Sequence, residues 1–533
     1  MYPRFRPLIV ATVPLVLFVA AGKAQQTSPA PEPPADAHPG YTLKTTSQIV
    51  QLDVVVRDQK GALVRGLHAG DFTVTEDGAP QRIVSFDETA PPPPVKRAEQ
   101  QIDSTAELDR REPDAPVTII VLDELTAKFE DQYFARYSLD RYLKTRGDTL
   151  DQPTTLIARS VDRTMVLSDY TTSKKKIMDA LNRHFAANDW RAANPNFNDE
   201  QVGAAFASLL QIAQATEGHP GHKNLIWIGR GLPTLQWGDM ASEQMEQLRR
   251  AVTDCVELLR RARITLYAID PAGVQAPLES TDVNGSTFLE DPFNQSVSFD
   301  TLARATGGAS LHGRNDVDHL IRDAVDNGES FYTLAYHPST PTSVDPTKFR
   351  TIKITLRDNR LTATNREGYY PGAEQPARAP FADAKGKLTQ QTMFDLASAS
   401  SGLMVFDGIA LTLERDPHTP GEVRISFPAS ALGLRSADGK LKADVTLIAL
   451  GFDKSGKLLA KDGRVVSLHL AELPDGQSES RTVHLTTPLN PALPIARLRV
   501  VVRSNANGRI GADNLFLVDR ASLKDRSTGV KPH

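Results

Sequence analysis

The chain has 533 residues, of which 40% are hydrophobic and 24% are charged. A single hydrophobic core rarely serves a chain of this length, so we expect about two to four domains of ordinary globular composition. The formal net charge of -4 gives no overall basic surface of the kind that attracts nucleic acid. Composition therefore predicts a globular protein with no nucleic-acid partner.

The N-terminus has the pattern of a secretory signal peptide. Arg4 and Arg6 precede an apolar run over 8–21, and small residues follow it. The run is shorter than the roughly 20 residues that cross a bilayer as a helix. We therefore predict a signal peptide over 1–24, and no transmembrane span after its cleavage. The predicted location is the periplasm, the cell surface or the extracellular space.

Two linkers bracket a short β region in the predicted mature chain. Residues 25–40 are rich in proline and alanine, which predicts a disordered linker. Over 41–88, apolar residues alternate with polar ones and glycine turns recur, which predicts a small antiparallel β-sandwich. Residues 89–115 contain four consecutive prolines and many charges, and they predict a second linker.

Strand and helix patterns alternate over 116–372. Short apolar runs such as "VTIIVLD" at 117–123 and "NLIWIG" at 224–229 are typical of strands that are buried on both faces. Segments with apolar residues at helical spacing lie between these runs, as in 242–263. We therefore predict an α/β fold with a doubly wound, mostly parallel sheet of the Rossmann type.

The last third of the chain returns to β patterns. After a linker over 373–386, "KADVTLIALGFDKSGKLLA" predicts two strands joined by a tight turn. The segment "IARLRVVVRSNANGRIGADNLFLV" repeats that design. Residues 387–525 therefore predict a C-terminal β-sandwich, which flanks the α/β domain and is followed by a tail over 526–533.

Asp123 ends the first strand of the predicted sheet, at the edge where α/β sheets place their sites. The loop that follows, "DELTAKFE", has no glycine, which excludes a dinucleotide-binding turn and a P-loop. Leu125 stands where a phosphotransferase of the haloacid dehalogenase type needs a second aspartate. The sequence also lacks a Gly-x-Ser-x-Gly elbow. These patterns leave a metal-ion-dependent adhesion site to consider.

Four segments in a fixed order carry a resemblance: "VVVRDQKGALVRGLHAGDFTVTEDG", "IIVLDELTAKFEDQYFARYSLDRYL", "FYTLAYHPS" and "FRTIKITLRDNRLTATNREGYYPG". With these segments behind a signal peptide, the chain resembles the secreted VWFA-related proteins of the Acidobacteria. Residues 117–340 resemble a von Willebrand factor type A (vWA) domain. The resemblance covers about residues 45–372 and implies a vWA-like domain with flanking β-domains. It also implies binding or adhesion rather than catalysis.

The resemblance further implies a Mg²⁺ site built from an Asp-x-Ser-x-Ser loop, a threonine and a later aspartate. This sequence keeps Asp123 as a candidate metal ligand, but Leu125 and Ala127 occupy the two hydroxyl positions. Arg230 stands close to the position of the later aspartate. Because a guanidinium forks onto carboxylates, we predict an ion pair between Asp123 and Arg230 in place of a metal. The adhesion site would then be degenerate and hold no cofactor, with Mg²⁺ disfavoured.

An alternative cation site would use the acidic residues around that loop, which are Asp123, Glu124, Glu130 and Asp131. Glu130 and Asp131 also suit the start of a helix, whose dipole favours anions. The second interpretation needs no metal and explains two of the four residues.

His219 and His222 form a His-x-x-His pair that could ligate zinc. Proline and glycine separate them, which predicts a surface turn. We therefore interpret both as loop residues.

Three features are candidate partner contacts. Trp190 and Trp237 flank predicted loops on the side of the sheet that carries the candidate site, and exposed aromatic residues often anchor interfaces. The long predicted loop over 271–298 is the third, because loops of that length in compact domains are often functional.

Two function classes follow from these observations. The first is an exported, non-catalytic module that binds another protein or a cell-surface polymer. The second is an uncharacterised metal-dependent hydrolase that uses the acidic cluster near Asp123, which would require a bound metal or an activated water.

Overall fold

A computed structural model describes residues 49–90, 101–125, 129–160, 164–184, 197–232, 234–236, 242–273, 293, 296–339, 348–371, 381–383, 385–416, 418–419, 421–437, 440–471 and 481–518. These ranges contain eight α-helices and 25 β-strands.

The elements fall into three stretches of chain. The first holds β1 (Val50–Arg57), β2 (Phe72–Glu76), β3 (Ala79–Gln81), β4 (Ile83–Thr89) and α1 (Thr105–Arg111). The second holds β5 (Val117–Asp123), α2 (Phe129–Thr145), β6 (Thr149–Arg159), β7 (Thr164–Ser173), α3 (Lys174–Arg183), α4 (Phe197–Ala215), β8 (Lys223–Ile228), β9 (Leu235–Gln236), α5 (Ser242–Arg261), β10 (Ile264–Ile269), β11 (Ser296–Val297), α6 (Phe299–Ala305), β12 (Ala309–Leu311), α7 (Val317–Glu329), β13 (Phe331–Tyr336), β14 (Arg350–Leu356), β15 (Thr362–Thr364) and β16 (Gly368–Tyr369). The third holds α8 (Gln390–Ser400), β17 (Phe406–Asp407), β18 (Thr412–Arg415), β19 (Glu422–Pro428), β20 (Arg435–Ala437), β21 (Lys440–Phe452), β22 (Leu458–Ala471), β23 (Thr482–Pro488), β24 (Arg497–Ser504) and β25 (Ile510–Phe516).

The first strands of the chain complete sheets with strands that lie beyond residue 330. One sheet has the order β15-β1-β13-β4 and another has the order β16-β14-β2-β3, with antiparallel neighbours throughout. Alternation along β1 sends Val50, Leu52 and Val54 into a core that also contains Tyr332 and Ile352. We call this unit the shared β-module, because two distant stretches of sequence build it.

A six-stranded sheet, which we call the mixed sheet, has the order β12-β10-β8-β5-β6-β7. Neighbours from β12 to β6 are parallel, whereas β7 is antiparallel to β6. Helices α2, α3 and α7 pack on one face, and α4, α5 and α6 pack on the other. Every residue of β5 is therefore buried. The ends of β5, β6 and β8 meet at one edge, the carboxyl edge.

The C-terminal β-domain has two antiparallel sheets. One has the order β17-β25-β24-β21-β20, with β22 also paired to β21, and the other has the order β18-β19-β23. Val445, Val500 and Ile425 lie in its core. Ile448 and Val501 instead join the core around α4, so this domain packs against the helices of the mixed sheet.

Helical spacing over 242–263 predicted an amphipathic helix, and this is confirmed for α5, where Val252 and Leu259 are buried. Leu209 and Ala213 of α4 are buried in the same way. Cys255 lies on the same buried face of α5. None of the helices in the described ranges is long and apolar enough to cross a membrane.

The predicted fold class, a doubly wound and mostly parallel α/β sheet flanked by two β-sandwiches, is wrong. The chain is a mixed α/β structure in which five of the six described sheets are antiparallel, and the sixth is mixed. The strands of 41–88 form no sandwich of their own, because β1 pairs with β13 and β2 pairs with β14. Local periodicity identified these strands, but it carries no information about which distant strand will pair with them.

Candidate functional site

The carboxyl edge of the mixed sheet places Asp123 between two neighbouring strands. Asp123 ends β5, and parallel pairing sets it beside Arg159 at the end of β6. Arg159 Nη1 donates to Asp123 Oδ1 at 2.8 Å, and Trp227 Nε1 donates to Asp123 Oδ2 at 3.1 Å. The peptide nitrogen of Leu125 also donates to Oδ1, at 3.1 Å. Both oxygens of this buried carboxylate are therefore engaged within the protein.

Trp227 contacts both charges of this pair. The guanidinium carbon of Arg159 lies 5.5 Å from the centroid of the indole ring, within the range of a cation–π contact. The same indole donates its N–H to the carboxylate of Asp123 and packs edge-on against Phe299 at 5.2 Å. We call Asp123, Arg159 and Trp227 the Asp123 cluster. Because all three side chains are buried and in contact, packing and charge fix them together.

Gly229 makes room for this cluster just after β8. A Cβ atom on Gly229 would lie 2.5 Å from the Cβ of Asp123, which is too close for two carbon atoms. The backbone of Gly229 also has a φ of 155°, which L side chains rarely adopt. Glycine is therefore required here both for space and for backbone conformation.

The cation at Asp123 differs from the one predicted by the sequence. The ion pair of Arg230 is with Asp131 of α2, at 3.1 Å, and Arg159 supplies the guanidinium that pairs with Asp123. Arg230 follows β8 at the same edge, where its guanidinium pairs with a carboxylate in the first turn of α2. The sequence signal for this partner is Arg159 itself, a charged residue that ends the apolar run "TTLIAR" at this edge.

The acidic residues around Asp123 do not converge on one point. His184 Nε2 lies 2.6 Å from Glu124 Oε1, and both side chains are buried. Asp131 pairs with Arg230, and Glu130 is exposed in the first turn of α2. Within the described ranges, no three or more His, Cys, Asp or Glu side chains are grouped so that they could hold a metal ion.

The donor set at Asp123 does not fit Mg²⁺. That ion takes six oxygen ligands in a near-octahedral shell and usually keeps several waters. Here the carboxylate of Asp123 faces a guanidinium, and Leu125 offers an apolar side chain. Ala127, at the second hydroxyl position, lies outside the described residues.

The sequence predicted that the two histidines of "EGHPGHKN" lie in a surface turn, and this is wrong. Both are buried, and they have different partners. His219 Nε2 lies 2.7 Å from the carbonyl oxygen of Ala115, and His222 Nδ1 lies 2.8 Å from Asp53 Oδ2. Burial lowers the pKa of His219 to about 4, with the charge of Lys223 acting in the same direction. These contacts connect segments of the fold and do not form a zinc site.

The candidate partner contacts fall mainly on parts of the chain that are not described. Trp190 and Trp237 both lie outside the described residues, as does most of the loop over 271–298. Their roles therefore stay predictions.

A second buried charge lies at the opposite end of the mixed sheet, the amino edge. Lys223 begins β8, is fully buried and donates from Nζ to the carbonyl oxygens of His219 and of Gly221, the latter at 2.9 Å. Burial lowers the pKa of Lys223 to about 7, although the charge of Asp407 opposes that shift.

Asp407 comes from β17 of the C-terminal β-domain and accepts a hydrogen bond from Gly218 N at 2.6 Å. Burial raises the pKa of Asp407 to about 7, and the charge of Lys223 acts against it. Asp407 also lines a cavity of about 80 Å³ between the mixed sheet and the C-terminal β-domain. The amino edge therefore holds two groups whose charged forms are both disfavoured by burial.

Comparison with known proteins gives little support to any family. No family model matches this chain, and no characterised protein matches it. Among solved structures it is similar to proximal thread matrix protein 1 of the mussel byssus, with 9% identity and a TM-score of 0.25 over 43% of this chain and 49% of that chain. The match thus spans about half of that protein.

Two further solved structures show similarity at the same low level. The SpRpn10 VWA domain has 14% identity and a TM-score of 0.17 over 30% of this chain and 89% of that chain. The human COPII-coat protein Sec24c has 10% identity and a TM-score of 0.21 over 77% of this chain and 45% of that chain. A VWA domain is thus among the similar structures, but TM-scores this low carry no argument about fold or function.

Proposed function

We propose that this chain is an exported, non-catalytic binding module of the VWFA-related kind, with a degenerate metal-ion-dependent adhesion site at Asp123. Its partner would be another protein or a cell-surface polymer. The proposal has two parts, which are a structural role for Asp123 and a binding role for the surface around it.

The observation that carries the first part is the engagement of Asp123. A carboxylate that serves as a metal ligand or as a general base needs at least one oxygen that can reach a metal, a water or a substrate. Here Arg159 and Trp227 each occupy one oxygen, and both charges of the ion pair are buried. This arrangement supports a role in holding strands β5, β6 and β8 together at their ends.

The second part is supported by the sequence. The predicted signal peptide over 1–24 favours export, and the net charge of -4 argues against a nucleic-acid partner. The resemblance to VWFA-related proteins favours binding over turnover.

A metal-dependent hydrolase is the competing function. The close contact of His184 with Glu124 is the feature that favours it, because a histidine oriented by a carboxylate is a common general base. Both side chains are buried, however, and the described residues offer no metal-binding group beside them.

Metal content and turnover of the purified full chain separate the two functions. We expect much less than one equivalent of Mg, Mn or Zn by mass spectrometry, and no hydrolysis of ester or phosphoester substrates above a heat-unfolded control. Stoichiometric metal, or turnover that is lost in both Asp123→Asn and Glu124→Gln, would establish the hydrolase instead.

Binding is tested with cell envelopes. Labelled full chain should sediment with envelope fragments, and treatment of those fragments with protease or with glycosidase distinguishes a protein partner from a polymer. If the labelled chain stays in solution with every envelope preparation, the binding role is wrong.

A further inference from the structure

Three aromatic side chains stand exposed in a single row on α2. Phe129, Tyr133 and Tyr137 are 63%, 67% and 47% exposed, and they follow one another at a spacing of four residues. Arg141 continues the row, with a half-exposed side chain. Side chains four residues apart lie on the same helix face, about 6 Å apart along the axis. We call these four residues the α2 row.

In the described ranges the α2 row faces solvent, because the other face of the helix supplies the core. Leu139, Tyr142 and Leu143 of α2 pack onto the mixed sheet and α7. The remaining large hydrophobic residues that are exposed in the described chain are scattered, with no more than two in any one element, and they are Ile49, Val84, Met393, Leu458 and Val465. Three exposed aromatic rings on one helix are thus a concentration of apolar surface without a counterpart in these ranges.

We propose that the α2 row is a self-association surface, where α2 of a second copy of this chain packs antiparallel against it. Under a two-fold axis between Tyr133 and Tyr137, Tyr133 of each copy faces Tyr137 of the other. The same axis sets Phe129 of each copy against Arg141 of the other. An isologous contact requires a surface that is complementary to itself, and this row meets that requirement.

The charges along α2 favour the antiparallel arrangement. The exposed acidic residue Glu130 lies at the start of the helix. The last turns hold Asp140, Arg141 and Lys144, with Lys144 paired to Asp140, so that this end is net positive. Antiparallel packing brings the acidic end of each copy to the basic end of the other. Parallel packing would set like charges together at both ends, which is unfavourable.

Arg141 is already placed for its role. Its guanidinium lies 5.9 Å from the ring centroid of Tyr137 and 3.2 Å from Asp318 Oδ2 of α7. The ion pair holds the side chain over the aromatic row while leaving about half of it exposed. An aromatic ring from the second copy would add a second cation–π contact to the same guanidinium.

The size of the row predicts a weak dimer. Three aromatic rings that are about half to two-thirds exposed offer roughly 350 Å² per copy. A stable interface buries about 800 Å² per partner. The contact is therefore expected to form in the micromolar to millimolar range and to depend on protein concentration.

Sedimentation velocity of the full chain over that concentration range tests the proposal. The unmodified chain should shift from monomer towards dimer as its concentration rises. The double variant Tyr133→Ser with Tyr137→Ser should self-associate at least about ten-fold more weakly, because tyrosines at the centre of an interface often dominate its affinity. The matched control is Met393→Ser, which removes an apolar side chain that is 50% exposed on α8 and should leave self-association unchanged.

Cysteine cross-linking then tests the geometry. The one native cysteine, Cys255, is buried, so an introduced thiol reports on the surface alone. A mixture of Tyr133→Cys and Tyr137→Cys chains should form more disulfide-linked dimer under mild oxidation than either variant alone, and far more than Met393→Cys.

A chain that stays monomeric at every concentration overturns the proposal and leaves the α2 row to a different partner. Dimers that persist in the double serine variant overturn it as well, as does a Tyr133→Cys variant that cross-links best to itself. These outcomes are independent of the proposed function, because they do not depend on metal content, turnover or envelope binding.

Discussion

The two edges of the mixed sheet both bury charge, but they stabilise it in different ways. At the carboxyl edge, Asp123 meets the opposite charge of Arg159 directly and receives further hydrogen bonds from Trp227 and a peptide nitrogen. At the amino edge, Lys223 donates to peptide carbonyl oxygens, and Asp407 accepts from a peptide N–H.

The difference shows that burial alone does not identify a functional carboxylate. A buried charge with an opposite charge in contact contributes to structure, as the pair of Asp123 with Arg159 does. A charge that meets mainly peptide groups has its pKa shifted in favour of its neutral form, as for buried Lys223 and half-buried Asp407. The strand-end position that drew attention to Asp123 is thus also compatible with a purely structural ion pair.

The largest expected effect comes from breaking the ion pair at the carboxyl edge. Asp123→Asn leaves Arg159 buried without its counter-charge, and we expect the free energy of unfolding in urea to fall by about 3–5 kcal/mol. The matched control is Asp131→Asn, which breaks the more exposed pair with Arg230 and should cost about 0–1 kcal/mol.

Combining Asp123→Asn with Arg159→Met should recover most of that loss, because the uncompensated charge is then removed. Equal costs for Asp123→Asn and Asp131→Asn would show that the buried pair is not structurally important.

A smaller effect is expected from crowding the same cluster without changing its charge. Gly229→Ala should destabilise the protein by about 2–4 kcal/mol, since the new methyl group meets Asp123 and the backbone is strained. Gly61→Ala is the control, because Gly61 also has a positive φ of 82° but has open space around it. It should cost about 1–2 kcal/mol. Similar losses in thermal unfolding for the two variants would mean that the contact with Asp123 is not important.

The smallest effect should appear at the amino edge, where the substitution is expected to stabilise the folded protein rather than destabilise it. The pKa of Asp407 is raised from 3.8 to about 7, so between those values the unfolded chain loses this proton while the folded chain keeps it. Folded-state stability therefore falls as pH rises through that window. Asp407→Asn removes this pH dependence of stability and retains a side-chain oxygen that can accept the hydrogen bond from Gly218 N.

Relative to the unmodified chain, Asp407→Asn should gain about 1 kcal/mol for the one-unit rise from pH 5 to pH 6, as measured by urea unfolding at several pH values. Lys223 adds no pH dependence of stability in that window. Its pKa is lowered only to about 7, so the folded and unfolded chains both keep its proton there. A variant whose relative stability is flat or falls with pH would contradict the account of this edge.

Local patterns in the sequence predicted elements well and their partners poorly. The apolar run at 117–123 forms β5 with the predicted bounds, and the helical stripe around Val252 is the buried face of α5. Strand β1 was also recognised, but its neighbour β13 lies far along the chain, and alternation cannot specify it.

The candidate site shows the same limit at the level of side chains. The edge that carries Asp123 followed from strand direction, but its partner Arg159 depends on β6 being the neighbouring strand. Arg230 is drawn to Asp131 because α2 begins beside it. The exposed α2 row is visible as a four-residue spacing in "FEDQYFARY", yet its exposure depends on which face of α2 the sheet covers.

Calorimetric titration of Mg²⁺ and Mn²⁺ into the full chain tests the central claim most directly, with Asp123→Asn titrated in parallel. Because Arg159 and Trp227 engage both oxygens of Asp123, we expect no saturable heat for either ion and no difference between the two proteins. Binding of one ion per chain that disappears in Asp123→Asn would contradict the account and restore Asp123 as a metal ligand.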